Sequence, residues 1–311
     1  MLEIRKYTEN YKDQWDNFVK NSKNGVFLFL RDYMEYHADR FQDSSLLFLK
    51  EGKLIGLMPA NIEDNTVVSH AGLTFGGIIS NITMKTPTML EIFKELKNYL
   101  KEECIHKFVY KATPHIYHSF PAEEDLYALF VNGGELIRRD VSSAVFMGNK
   151  LAFSNDRKRN IKKARKKGLE VMQSFDYDTF MDIEEIQLEA KYGLKPTHTK
   201  NEMKILANRF PENIKLFTAN KNGKMVSGVI VYESMNVAHT QYIASTDEGK
   251  KLYATVLVLD FLINDYYKNK KWFDFGISTE NNGFYLNEGL VSFKERFGTR
   301  AIVHDFYEMK I

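Results

Sequence analysis

Chemistry-bearing side chains crowd a few short stretches of this chain. The densest is a run of cations, Arg157, Lys158, Arg159, Lys162, Lys163, Arg165, Lys166 and Lys167. Ser154, Asn155 or Asp156 can cap a helix there, and Gly168 can stop it. Ile161 and Ala164, three apart, would hold that helix to the body and leave its basic faces outward. Two readings stand. One is a solvated connector; the other is a phosphate-binding face, with Lys162, Lys163, Lys166 and Lys167 on a nucleotide-linked substrate, CoA or a tRNA acceptor stem. A second stretch, Ser278-Thr279-Glu280-Asn281-Asn282-Gly283, follows the C-terminal end of an expected strand, where α/β-type sheets place ligands. Glu280 can take a proton there, directly or through water, unless the turn only satisfies its own Ser, Thr and Asn side chains. His70 ends another expected strand and is followed by small residues that admit a ligand close to the backbone. His239 sits in a matching place ahead of Gln241 and Tyr242, so the two histidines are either substrate groups or relics of a duplication. Tyr117 and His118 precede a proline and three acids, and either line an acceptor pocket for an amino sugar or open a helix with acids in its first turn. No metal is expected. The eight histidines show no HExxH or His-x-His spacing, and His115, His118 and Asp125 are the only semblance of a site. The absence of GxSxG likewise leaves a Ser-His-Asp hydrolase unsupported.

The elements that must position these residues come in two copies. RFQDSSLLFL at 40–49 recurs as RFPENIKLFT at 209–218, and the strand–turn–strand EGKLIGLMPA recurs as NGKMVSGVIV. An amphipathic helix follows in each half, TMLEIFKELKNYLKEE and ATVLVLDFLINDYYKN, and runs into an aromatic strand, KFVYKATP and KWFDFGIS. Leu47 and Leu216 share an offset of 169 with His70 and His239, so the spacing predicts His70 over His239 and Phe108 over Phe273. A β-meander followed by a helix and a further strand gives a mixed sheet with a crossover. The expected fold is therefore α/β (α+β), with two tandem domains, each a mixed, mainly antiparallel sheet flanked by helices. The boundaries read as a first domain over 1–150, a basic connector helix over 151–168 and a second domain over 169–311.

Length and composition agree. A chain of 311 residues suits two domains, since single cores rarely grow beyond about 250–300 residues. Forty-three basic against 41 acidic side chains leave +2, which argues against a DNA-coating protein. Hydrophobic residues at 44% and only six prolines exclude disorder as the main state. The charged opening MLEIRKYTENYKDQW lacks a signal peptide's apolar run, and ATVLVLDFLI is too short to span a bilayer, so a cytoplasmic protein is expected. The single cysteine, Cys104, excludes an internal disulfide and lies four residues after Leu100 on the stripe Leu90, Phe93, Leu96, Leu100, which predicts a buried thiol.

This order of elements resembles the GNAT acyltransferase fold, and the tandem pair resembles the Fem-type aminoacyltransferases that build peptidoglycan cross-bridges. DRKRNIKKARKKGLEV at 156–171, and KWFDFGIS followed by GLVSFKERFG, are similar to the basic helix and the Phe-Lys segment of that family. RDYMEYHADRF, SHAGLTFGG, IYHSFPAEEDLYALF, PTHT and STENNGFYLNEGL resemble a Fem-like subgroup associated with surface-polysaccharide synthesis. The resemblance covers nearly the whole chain. It implies that Lys294 stabilises the charge that develops when an amine attacks an ester carbonyl, an electrostatic contact of several kcal/mol; the plain alternative is a surface lysine paired with Glu295. It also implies that Tyr285 protonates the leaving group, that Asn287 orients the acceptor, and that Arg31, His37, Arg40, His70, Tyr117, His118, Gln241 and Tyr242 bind substrate. Two features depart from the pattern. Residues 177–215 are too short for the family's helical arm. The place of a Gly-rich pyrophosphate loop, STDEGKKLYAT, holds only Gly249 and the repelling Asp247 and Glu248.

The function expected from this resemblance is acyl or aminoacyl transfer to an amine on a cell-envelope precursor, a nucleotide-linked amino sugar or a peptidoglycan precursor. No tightly bound cofactor is expected. The donor, an acyl-CoA, an acyl carrier protein or an aminoacyl-tRNA, acts as co-substrate and stays open. The alternative is a non-catalytic ligand-binding protein on a degenerate tandem GNAT frame.

Overall fold

In the computed structural model, which describes residues 1–311 apart from the side chain of Tyr192, the repeated strings become repeated elements. The chain divides into two compact units. One comprises 1–140, 279–285 and 303–311; the other comprises 141–278 and 286–302. The first boundary thus falls ten residues earlier than expected, at Asp140–Val141, within the strand Glu135–Phe146. The basic helix is part of the second unit rather than a connector, because Ile161 and Ala164 belong to that unit's core.

In the first unit, Leu2–Lys6 and Lys53–Met58 lie antiparallel on either side of Leu46–Lys50. The chain continues through Asn61–Glu63 and turns back as Thr66–Val68. Helix Thr86–Glu102 then carries it across to Lys107–Lys111, parallel to Thr66–Val68, with residues 306–310 antiparallel on the far edge. The helix buries Met89, Ile92, Phe93, Leu96 and Leu100, the three- and four-residue spacing of one apolar face. Cys104 is not on that face. The helix ends at Glu102, Cys104 takes a left-handed φ of 57°, and Ile105 fills the core in its place, so the thiol is exposed rather than buried.

In the second unit, Glu170–Ser174, Ile214–Lys221, Lys224–Glu233 and Val237–Ser245 form an antiparallel meander in that order. Helix Ala254–Phe261 crosses over to Trp272–Ile277, parallel to Val237–Ser245, and residues 142–146 pair antiparallel beyond it. Helices Tyr177–Tyr192 and Lys200–Arg209 stand between the first two strands, too short for an extended arm. The core gathers Phe217, Val229, Val231, Val258, Leu262 and Phe273. Helices flank mixed, mainly antiparallel pairing in each unit, but the second unit's strands lie in one sheet, whereas in the first Leu2–Lys6, Leu46–Lys50, Lys53–Met58 and Ile79–Ser80 form a sheet apart from Asn61–Glu63, Thr66–Val68 and Lys107–Lys111.

The pairing registers test the duplication residue by residue. Val67 opposes Phe108 and Ala238 opposes Phe273, so the two phenylalanines occupy equivalent places. By the same register His239 matches Val68, and His70 lies two positions further on. The second copy has two more residues ahead of its Asn222-Gly223 turn, which changes the offset from 169 to 171 beyond it and corrects the pairing of the two histidines.

Candidate active site

Strand Trp272–Ile277 ends in a bulge. Asp274 opposes Ala144 but Ile277 opposes Ser142, three steps against two, and Gly276 absorbs the mismatch at φ +76°, a conformation that disfavours any side chain. The bulge turns two successive carbonyls the same way, and Lys294 Nζ donates to both, to Gly276 O at 2.8 Å and Ile277 O at 2.7 Å. An ammonium has three N–H donors, so one is left for a ligand. Lys294 is 4% exposed, and burial pulls it down to about 8, an effect that the nearby Asp274 partly offsets. Its helix, Glu288–Glu295, starts at Asn287, whose Oδ1 accepts from Leu290 N at 3.0 Å. Asn287, expected to orient an acceptor, thus caps the helix that carries Lys294. Arg157 holds the same helix from outside. Its guanidinium lies 4.5 Å from the Phe293 ring centroid and 4.7 Å from that of Phe297, and donates to Phe293 O at 3.2 Å. Arg157 is therefore buried, unlike the rest of its basic run, and burial lowers it to about 10.

Beside Gly276 lies a buried carboxylate. Asp274 is fully buried and accepts from Ser142 Oγ at 2.5 Å and from His239 Nδ1 at 2.7 Å. His239 opposes Tyr232, and Tyr242 opposes Ile230, so the bulge at Gln241 leaves His239 and Tyr242 on one face of the sheet. Helix Tyr177–Tyr192 packs there, with Phe180 against Gly228, where a Cβ would come within 2.7 Å of the ring. One turn on, Glu184 is 5% exposed with Oε2 lacking a hydrogen-bond partner among the described residues, and Gln187 holds Ile243 O at 3.2 Å and Ser245 N at 3.1 Å. His198 completes the row, its Nδ1 2.7 Å from Tyr242 Oη. Burial raises Tyr242 and lifts Glu184 from 4.5 to about 7.

Glu184 gives a stability test. A carboxyl raised to about 7 in the folded state favours folding fully below 4.5 and loses that contribution as pH rises through 7. Glu184→Gln should therefore gain on the wild type by roughly 2–4 kcal/mol at pH 8 relative to pH 4. Urea unfolding at both pH values measures it, and an equal difference at both would show that the carboxyl is not desolvated.

Other expected residues are placed differently. Glu280 and Tyr285 lie exposed on the ribbon Thr279–Glu280 and Tyr285–Leu286, and both belong to the first unit. In that unit Arg31 is 3% exposed and serves the fold. It donates to Asp43, to Glu35 at 2.9 Å and to Ser45 at 3.4 Å, and stacks 3.7 Å from the Tyr7 centroid. Arg40 is exposed, 5.6 Å from the Tyr36 ring centroid. His37 is buried among the rings of Tyr36, Phe41 and His70. Burial first, then His37 and Lys111, drive His70 down to about 3, a neutral imidazole at physiological pH. Lys111 donates to the carbonyls of His70, Ala71 and Leu73, so the SHAGLTFGG loop offers carbonyls to a cation, the opposite polarity to a phosphate cradle. Tyr117 is buried against Phe75, and burial holds His118 near 4 with Nε2 3.1 Å from Thr113 O. Asp125 bonds Tyr110, so His115, His118 and Asp125 do not converge, and no metal-holding cluster exists among the described residues.

In the second unit, STDEGKKLYAT folds as helix Asp247–Leu252, capped by Thr246, whose hydroxyl accepts from Gly249 N at 3.0 Å. Asp247 and Glu248 fill its first turn, and a Cβ on Gly249 would lie 2.1 Å from Val226 O. The basic helix spans Asn155–Arg165, capped by Ser154 and followed by Gly168 at φ +64°. Lys162, Lys163, Lys166 and Lys167 are all exposed. Lys162 joins Lys150, Lys158 and Arg165 around a groove of about 420 Å³, with Asp260 on Arg165 at 2.8 Å.

Residues 155–285 match the family model described as acetyltransferase (GNAT) domain. No curated protein sequence matches the chain. The crystal structure of FemX is similar over 99% of this chain and 97% of its own, at 12% identity and a TM-score of 0.70. The L-PGS of Bacillus licheniformis is similar over 96% of this chain and 91% of its own, at 10% identity and 0.62. A tandem GNAT protein from the clavulanic acid biosynthesis pathway covers 100% of this chain and 98% of its own, at 9% identity and 0.52. At such identities the likeness is one of fold: a GNAT domain lies in the second half of the chain, and the whole has the fold of tandem GNAT proteins.

Proposed function

We propose that the chain transfers an acyl or aminoacyl group from an ester or thioester donor to an amine on a cell-envelope precursor. One observation carries this reading: Lys294, a buried ammonium pinned by two carbonyls of a strand-end bulge, with one N–H left over, in the compact unit that holds most of the GNAT match. That geometry suits an oxyanion, because a preorganised charge in a shielded site costs no reorganisation as negative charge develops. The amine nitrogen attacks the carbonyl carbon, Lys294 steadies the tetrahedral oxyanion, and the C–O or C–S bond breaks as the leaving oxygen or sulfur gains a proton. The attacking amine gives up one N–H proton as the N–C bond forms, so the reaction needs a proton acceptor for the amine and a proton donor for the leaving group. The likeness in fold to the C-terminal domain of a lysylphosphatidylglycerol synthetase of Agrobacterium fabrum, at 8% identity and a TM-score of 0.63, supports an aminoacyl donor and a cell-envelope acceptor. The acid-filled turn at 247–252 supports a donor other than CoA in its usual loop. A cytoplasmic setting belongs to the same proposal. Among the described residues, no helix is long and apolar enough to cross a membrane.

The test is a transfer assay. Purified protein is offered acyl-CoAs, acyl carrier proteins and aminoacyl-tRNAs, each with UDP-linked amino sugars, peptidoglycan precursors and amine-free controls, and products are read by mass spectrometry. New amide bonds support the proposal. Binding of an acceptor with no transfer from any donor favours a non-catalytic ligand-binding protein.

A further inference from the structure

We infer that His239 is the group that takes the proton from the attacking amine, with Asp274 and Ser142 as its positioning residues. The inference rests on the acyl-transfer reading above and supplies the base that reading needs. Its support is geometric. Asp274 binds His239 Nδ1 at 2.7 Å with one carboxylate oxygen, while Ser142 Oγ, at 2.5 Å, holds the other. A carboxylate only accepts, so Nδ1 carries the hydrogen, and in the neutral imidazole Nε2 then carries the lone pair. Ser142 prevents the carboxylate from rotating, which fixes the imidazole plane. The ring keeps an accessible edge, its side chain being 15% exposed, while Asp274 has none.

Gly276 links this imidazole to Lys294. A Cβ at Gly276 would lie 3.2 Å from His239 Cε1, and the oxygen of the same residue accepts from Lys294 Nζ at 2.8 Å. Imidazole and ammonium thus flank one glycine, whose φ of +76° and missing side chain let the imidazole ring approach the backbone on one side while Lys294 holds the carbonyl of the same residue. A carbonyl seated there would have a hydrogen-bond donor for its oxygen on one side and a proton acceptor for the incoming amine on the other. The step balances. The N–H bond breaks toward Nε2 as the N–C bond forms, and the imidazolium returns that proton to the leaving oxygen or sulfur as its bond to carbon breaks. The charged and titratable groups around His239 are Asp274 on the parallel strand, Tyr232 on the antiparallel one, Lys294 on helix Glu288–Glu295, and Tyr242 and Glu184 along the same face.

Two measurements test it. Nitrogen-15 NMR of histidine-labelled wild-type protein reads the tautomer without any substrate. For the neutral ring the Nδ1–H tautomer is expected, and the Nε2–H tautomer overturns the inference. In the transfer assay, His239→Gln should lower kcat by about 100- to 10,000-fold with KM little changed, and added imidazole should partly restore His239→Ala. Asp274→Asn should lower kcat without imidazole rescue. If His239→Gln keeps the rate of an active wild type, or Glu280→Gln loses more than His239→Gln, the base is elsewhere while acyl transfer stands. If the wild type transfers nothing to any amine, the acyl-transfer reading falls and this role falls with it. Circular dichroism of each variant separates a lost base from a lost fold.

Discussion

Lys294→Ala should lower turnover roughly 100- to 1,000-fold while the KM for the acceptor amine barely moves. The contact strengthens only as charge develops on the carbonyl oxygen, so its loss raises the barrier and spares ground-state binding. Lys294→Arg should recover little, because a planar fork cannot place one N–H where a compact ammonium held by Gly276 O and Ile277 O places it. The charge also leaves a signature independent of any assay. A lysine lowered to about 8 in the folded state from 10.5 penalises folding fully below 8, and the penalty fades as pH rises toward 10.5. Wild-type stability should therefore gain a rising component between those pH values that Lys294→Met lacks, and turnover should fall above about pH 8 as the ammonium deprotonates. A surface lysine would do neither. Wild-type turnover in the alanine variant would falsify the catalytic role.

Much of the fold was legible because repetition is a property of the string itself. EGKLIGLMPA and NGKMVSGVIV become paired strands around Gly52 and Gly223, and the aromatic strands take equivalent registers at Phe108 and Phe273. What repetition could not supply is where each unit closes. The strands Glu135–Phe146 and Arg300–Lys310 each contribute residues to both units, and nothing in their composition marks the residue at which a long strand changes unit. Cys104 shows the limit of periodicity: helical spacing continues past Leu100, but the end of a helix is decided by the left-handed residue that closes it.

The site was legible where a residue type is unusual for its place and lost where partners are distant in sequence. Lys294 drew notice by resemblance, and His239 by a repeat with His70 that the registers do not keep, since Val68 holds its place in the first unit. Asp274 carried a signal that was missed, an acid between Phe273 and Phe275 in an aromatic strand, since a buried carboxylate needs partners. Glu184 carried a similar one, four residues after the buried Phe180 and so on its inward stripe. Ser142 and Arg157 could not be found this way. Their partners, Asp274 and Phe293, are 132 and 136 residues away, and only folding brings them together.

The basic helix yields the second large effect. Replacing Lys162, Lys163, Lys166 and Lys167 together by Gln should weaken tRNA binding about a thousandfold at low salt, taking about 1 kcal/mol for each cation facing an anionic surface. The four side chains are exposed, so their charges lie where a polyanion can reach them. Neighbouring Lys150, Lys158 and Arg165 remain around the groove, and the residual affinity should come from them. Because each phosphate contact releases counterions, the slope of log affinity against log salt should become shallower by about three to four in the variant. Folding should hardly change, since the helix is anchored by Ile161, Ala164 and the buried Arg157, none of which is altered. Fluorescence anisotropy with labelled tRNA from 50 to 300 mM salt reads affinity and slope together. Unchanged values in both would return the helix to a solvated surface, and the aminoacyl-tRNA donor would lose its main physical support on this chain.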